Sequence, residues 1–150
     1  MVIRIKNQQR AKSLNLRRVR KDLAAAAEGL GLGECELSIL FAGSAKVKSL
    51  NTAYRGIPKE TDVLSFPMDS PSRSATAAGH PVILGDIIIS IPKAAAQARE
   101  HGVTFQEELR RLLIHGLLHL AGYDHELNRY QKARMLKKEK ELLGAVQTVD

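Results

Sequence analysis

Three of the five histidines in this chain fall within residues 115–125, which read H-G-L-L-H-L-A-G-Y-D-H. His115 and His119 are four apart, so on a helix both imidazoles leave the same face, one turn apart. Gly122 can take the left-handed backbone that stops a helix and reverses the chain, and His125 can then swing back to supply a third nitrogen. Three imidazoles leave one tetrahedral position open, which is the arrangement of a catalytic zinc rather than a closed structural one. The expectation is one Zn2+ on His115, His119 and His125, since imidazole ligands favour zinc in a cytosolic protein. Local packing explains a histidine pair on an apolar helix; it does not explain a third histidine set just beyond a turn glycine. His80 and His101 read as solvated.

The H-x3-H-x5-H spacing is that of the metzincin metalloprotease signature H-E-x-x-H-x-x-G-x-x-H, with one part missing. The protease uses the Glu after its first His as general base. Here that position is Gly116, which carries no proton and is expected to leave space beside the metal for a bulky substrate. A zinc peptidase or amidase is therefore the weaker reading. A scissile phosphate polarised by the metal, or a metal-activated water, is the stronger one. A non-catalytic factor in which metal only holds helix and loop together is a third. Each imidazole should hand its other N–H to an oxygen behind it. Asp62, Asp86 and Asp124 are the candidates, and Asp124 reads equally well as a turn residue.

Several elements must position these groups. Val2–Lys6 alternates as a half-buried strand does, Leu14–Leu32 has helical spacing ending near Gly31 and Gly33, and Glu36–Ala42 reads as a second strand. Ser44 is expected to cap a short helix carrying Val47, Leu50 and Tyr54 on one face. Asp62–Phe66 reads as a short strand, 67–81 as a flexible surface loop, and Val82–Ile91 as a central strand interrupted at Gly85 and Asp86. Pro92 opens a helix to about Glu100. Thr104 and Glu107 have capping-box spacing ahead of the histidine helix, and a last helix runs from about Asn128 to Leu143. With no repeat and no linker, residues 1–150 read as one α+β domain, a small mixed sheet packed against helices.

Composition bounds the function. The chain has 150 residues, 44% of them hydrophobic, with only 4% aromatic and no tryptophan; this is globular, with an aliphatic core. The net charge of +7 suits a polyanionic partner, although basic balance alone is common. Arg4, Lys6, Arg10, Lys12, Arg17, Arg18, Arg20 and Lys21 make an N-terminal basic cluster, the better candidate for an RNA funnel. The basic residues of the last helix alternate with Glu139 and Glu141 and read as a solvated face. Cys35, the single cysteine, reads as a buried filler and leaves no intramolecular disulfide to form. No signal-peptide or membrane-spanning run stands out, so a cytoplasmic protein is expected.

Taken together, the histidine motif with Gly116, Tyr123 and Asp124, the runs N-T-A-Y-R (51–55), T-D-V-L-S-F-P (61–67) and G-D-I-I-I-S (85–90), and a closing helix with Met135, Glu139 and Leu143-Gly144 resemble the YbeY family of bacterial endoribonucleases, or rRNA maturation factors. The resemblance implies a metal-dependent, single-strand-specific endoribonuclease acting in 16S rRNA 3′ end maturation and ribosome quality control. Its implied partners are rRNA and the ribosome or small-subunit proteins. It also maps an essential arginine onto Arg55, beside the catalytic His115. A guanidinium can grip a phosphate with two parallel donors. The plainer role for Arg55 is a cation completing a helix C-terminus.

Overall fold

The computed structural model describes residues 1–68, 82–123 and 128–147. The elements run β1 (Val2–Gln8), α1 (Leu16–Gly29), β2 (Cys35–Ala42), α2 (Ser44–Arg55), β3 (Val63–Pro67), β4 (Val82–Ser90), α3 (Ile91–His101), α4 (Phe105–Leu120) and α5 (Arg129–Gln147). The strands form one mixed sheet in the order β1-β2-β4-β3. β1, β2 and β4 are parallel, and β3 lies antiparallel on the edge. This is the α+β arrangement expected.

Strand alternation decides which face is sealed. Leu37, Ile39 and Phe41 of β2 and Ile87 and Ile89 of β4 are each at most 2% exposed. They meet Val19 and Leu23 of α1, Leu109, Leu112, Leu113 and Leu117 of α4, and Met135 and Leu142 of α5. Burying each such branched side chain stabilises the fold by roughly 1.5–3 kcal/mol. The other face is covered only in part, where Val47 of α2 packs on Ala42, Leu64 and Ile88. Cys35 lies on the sealed side at 2% exposure, and burial pushes its thiol pKa up, as suits a filler.

The caps follow the sequence closely. Asn15, Ser90, Thr104 and Asn128 each accept a backbone N–H from three residues on, and the Thr104 hydroxyl also donates to the Glu107 carboxylate. α2 departs from expectation. Gly43 takes its cap position with no side-chain bond, while the Ser44 hydroxyl faces that of Ser90 at 3.5 Å. Tyr54 shares one face with Leu50, its ring centroid 5.6 Å from that of Phe66, but it is 72% exposed. Asn51 is the buried residue instead, and it donates to the Lys59 carbonyl at 3.0 Å.

The expected break at Gly85 proves to be a register shift inside a continuous strand. Gly85 has φ +137°, and a Cβ there would stand 2.2 Å from the Phe66 carbonyl oxygen; only glycine permits this approach of β3 to β4. α5 continues past Leu143 because Val146 is fully buried. Most of the loop expected at 67–81 lies outside the described residues. Among the described residues, no helix is long and apolar enough to cross a membrane.

Candidate functional site

The end of α4 and the end of α2 meet across the β3 edge. α4 is Leu-rich and buries Leu109, Leu112, Leu113 and Leu117 on one side; His115 and His119, on a flank of that stripe, are left half-buried. Their ring centroids are 4.8 Å apart at an interplanar angle of 73°. The helix stops as expected: Gly122 has φ +101°, and the Tyr123 N–H donates to the Leu118 carbonyl at 3.0 Å. The Arg134 guanidinium lies 4.6 Å from the Tyr123 ring centroid and ties this turn to α5.

Arg55 is exposed in the last turn of α2, before Gly56 ends the helix at φ +69°. It is thus a helix C-terminal cation, and it also lines an open pocket of about 710 Å3 together with Asp62, Ser65, His115, His119 and Tyr123. His115, His119 and Arg55, singled out in the sequence, share this pocket. His125 and Asp124 lie outside the described residues, as does His80.

Behind His115 stands a carboxylate that the sequence reading passed over. The Glu139 Oε2 is 3.9 Å from His115 Nδ1, and Glu139 is only 7% exposed. A carboxylate on that side favours the tautomer with hydrogen on Nδ1 and the Nε2 lone pair available to a ligand. The signal was present: Met135, Glu139, Leu142 and Val146 follow helical spacing, so Glu139 is an acid set in an apolar stripe. The aspartates take other places. Asp62 lines the pocket wall but accepts from the Val63 N–H at 2.8 Å and the Gln97 amide at 3.0 Å. Asp86 projects from the opposite face of the sheet, beside Lys6 and Ser38.

Two further expectations need correction. Gly116 does not open space in the pocket: it is buried against the sheet, and a Cβ there would stand 3.1 Å from Ile87 Cδ1 and Cγ2. The missing side chain allows α4 to lie close on β4. His101 is not merely solvated; its Nδ1 is 3.4 Å from the buried Glu108 carboxylate, which Arg111 also grips. Burial alone would raise the pKa of Glu108, but the hydrogen bond and charge of Arg111, aided by His101, hold it below the usual carboxylate range. Arg111 is raised in turn, its own desolvation outweighed by Glu108, with smaller support from Glu139 and Asp62.

Two imidazoles on one helix face with a carboxylate behind one of them are the donor chemistry of a zinc-type site, which needs three protein ligands. Among the described residues, no group of three or more His, Cys, Asp or Glu side chains is placed to hold a metal ion. His115 and His119 fit as two ligands of three.

A family model described as endoribonuclease YbeY matches residues 4–147. The chain belongs to the YbeY family. It is 40% identical over 145 residues to the endoribonuclease YbeY of Anaeromyxobacter sp., covering 97% of this chain and 72% of that one. It is 41% identical over 135 residues to that of Bacillus cytotoxicus, covering 88% and 85% respectively. A Thermotoga maritima protein whose structure was solved in solution superposes with a TM-score of 0.66 at 28% identity, over 97% of this chain and 89% of that one.

Proposed function

We propose that this chain is a zinc-dependent, single-strand-specific endoribonuclease of the cytoplasm. Its substrate in this reading is ribosomal RNA, at the 3′ end of 16S rRNA and in ribosome quality control, with the ribosome or its small-subunit proteins as partners. The observation that carries it is the meeting of His115, His119 and Arg55, from helices far apart in the chain, around one open pocket. Membership of the YbeY family supports the nuclease chemistry; the ribosomal substrate rests on the motif resemblance.

In this reading His115 and His119, with His125, hold one zinc ion. When bound, that ion supplies Lewis acidity toward a phosphodiester oxygen. Glu139 fixes the His115 ring so that Nε2 faces the pocket. Arg55, permanently charged, grips the phosphate with two parallel N–H donors and offsets the negative charge that develops on it. The open pocket admits a backbone, and its exposed guanidinium sits where a phosphate can reach it. A peptidase would need a general base at position 116, which instead packs on Ile87.

The test combines elemental analysis with cleavage of single-stranded RNA, duplex RNA and casein, with and without chelator. About one zinc per chain, and chelator-sensitive cleavage of the single strand alone, are expected. Arg55→Ala should keep its zinc and lose roughly 10²–10³-fold in rate. His119→Ala should lose zinc and activity yet melt as a folded protein. A variant at His119 that fails to fold, with wild type inactive on RNA, points to metal serving structure only.

A further inference from the structure

We infer that the open face of the sheet is the path along which single-stranded RNA leaves the histidine pocket, with bases against Tyr54 and Phe66 and backbone phosphates against Lys6 and Lys46. This rests on the RNA reading of that pocket and adds where the rest of the strand lies.

A second concavity, of about 720 Å3, occupies the face of the sheet that α2 leaves uncovered. Tyr54 and Phe66 line both this groove and the histidine pocket. Their ring centroids are 5.6 Å apart at 60°. The two depressions therefore meet at an aromatic step around the β3 edge. Tyr54 is 72% exposed, a large ring surface open to stacking.

Charge favours a polyanion. The groove is lined by Arg4 and Lys6 of β1 and Lys46 of α2, against Asp86 as its only carboxylate among the described residues. Arg4 is engaged by Glu36 at 3.1 Å, which leaves the phosphates to the two exposed lysines. The alternation of β1 explains the arrangement: Ile3 is sealed in the core while Arg4, Lys6 and Gln8 point to the groove.

The N-terminal basic cluster, expected to act as a unit, is split by the fold. Arg18 turns to the buried Asp22 at 2.9 Å, and Arg17, Arg20 and Lys21 surround Met1 and Ile3 on a different surface. Of that cluster, Arg4 and Lys6 line the groove.

Aromatic faces beside scattered cations bind strands whose bases are unstacked, whereas a duplex hides its bases. The groove thus gives single-strand preference a physical source outside the catalytic pocket.

The test compares wild type with the Lys6→Glu/Lys46→Glu variant, both residues being exposed, with circular dichroism melting as the control for folding. Anisotropy in chelator measures binding of an end-labelled single strand of about 12 nucleotides, a duplex of the same length and a trinucleotide. Cleavage of the same RNAs is followed separately with metal present. The variant should bind the long single strand about tenfold or more weakly, with a salt slope reduced by about 0.7 per lost phosphate contact. Its trinucleotide binding and cleavage should match wild type. Equal affinity and salt slope for the long strand in both proteins overturns the proposal. So does an equal loss for the duplex, which marks a general phosphate patch. If the variant loses long-strand affinity while neither protein cleaves RNA, the groove stands and the hydrolytic reading falls. If wild type binds no RNA, both fall.

Discussion

The two faces of the sheet are built from the same strands and serve opposite ends. On β2 and β4, Leu37, Ile39, Ile87 and Ile89 are at most 2% exposed beneath α1, α4 and α5. One residue along, Ser38 and Asp86 line an open groove with Lys6. The histidines sit where these two regimes meet, at the β3 edge. A metal or phosphate site needs side chains whose stems are packed and whose heads reach water. A helix seated on the sealed face but overhanging its edge supplies that. The difference teaches that the rigidity of the site comes from the closed face and its access from the open one.

Gly116 is the sharpest place to break this division. The signature reading asks for Glu at 116, so Gly116→Glu would restore a peptidase-like sequence. The structure predicts a ruined fold instead: the added Cβ meets fully buried Ile87 at 3.1 Å, and a carboxylate would follow it into an apolar layer. Unpaired burial of that kind costs at least several kcal/mol, comparable to the whole stability of a domain this size. Expression in the insoluble fraction, or loss of a cooperative melt, is the expected result. A soluble Gly116→Glu protein melting like wild type would mean that position 116 faces the pocket after all.

Much of this division was legible in the sequence, and the failures have physical causes. The strand at Glu36–Ala42 and the histidine helix were both legible, and the Thr104/Glu107 and Gly122 signals marked where that helix begins and ends. Local chemistry determines those features, so local reading finds them. Glu139 was passed over as a ligand-orienting group because its role exists only when α5 packs against α4. Asp86 was entertained because alternation alone does not say which face holds the histidines. Gly116 was misread since its contact, Ile87, lies on β4, remote from it in sequence. The basic N-terminus looked like one patch because its residues are close in sequence, yet Arg4 and Lys6 lie on β1 facing the groove while Arg17, Arg20 and Lys21 lie on α1 at a different surface.

A smaller effect, with a definite sign in pH, comes from the ionic network on the sealed side. Glu108 is 2% exposed and bound by Arg111 at 3.0 Å, with His101 at 3.4 Å. Its pKa lies below the usual carboxylate value because Arg111 and His101 outweigh the cost of burial. The folded state therefore holds the proton less readily than the unfolded one. The stabilisation is fully present above the unfolded carboxylate pKa of about 4.3, and it is lost as pH falls through the lowered folded value. Glu108→Gln should cost roughly 2 kcal/mol at neutral pH, less than the about 3–5 of a fully buried pair, because the Arg111 side chain is 36% exposed. Melting temperatures of the two proteins should converge as pH is lowered. A gap that stays constant down to acid pH would show that the loss is packing rather than charge.

The smallest effect belongs to the exposed part of β4. Ile83 is 48% exposed, whereas Ile87, on the same strand, is fully buried. Ile83→Lys removes little buried area and places a charge where water already reaches. Its cost is the modest loss of a β-branched residue, partly offset by the protection that a lysine gives an exposed strand. A change in stability of within about 0.5 kcal/mol is expected, read from urea midpoints at unchanged m-value. A loss of several kcal/mol would mean that this end of the sheet is covered in solution, by another chain or by the protein's own segments, and the contrast between a sealed and an open face would have to be redrawn at that point.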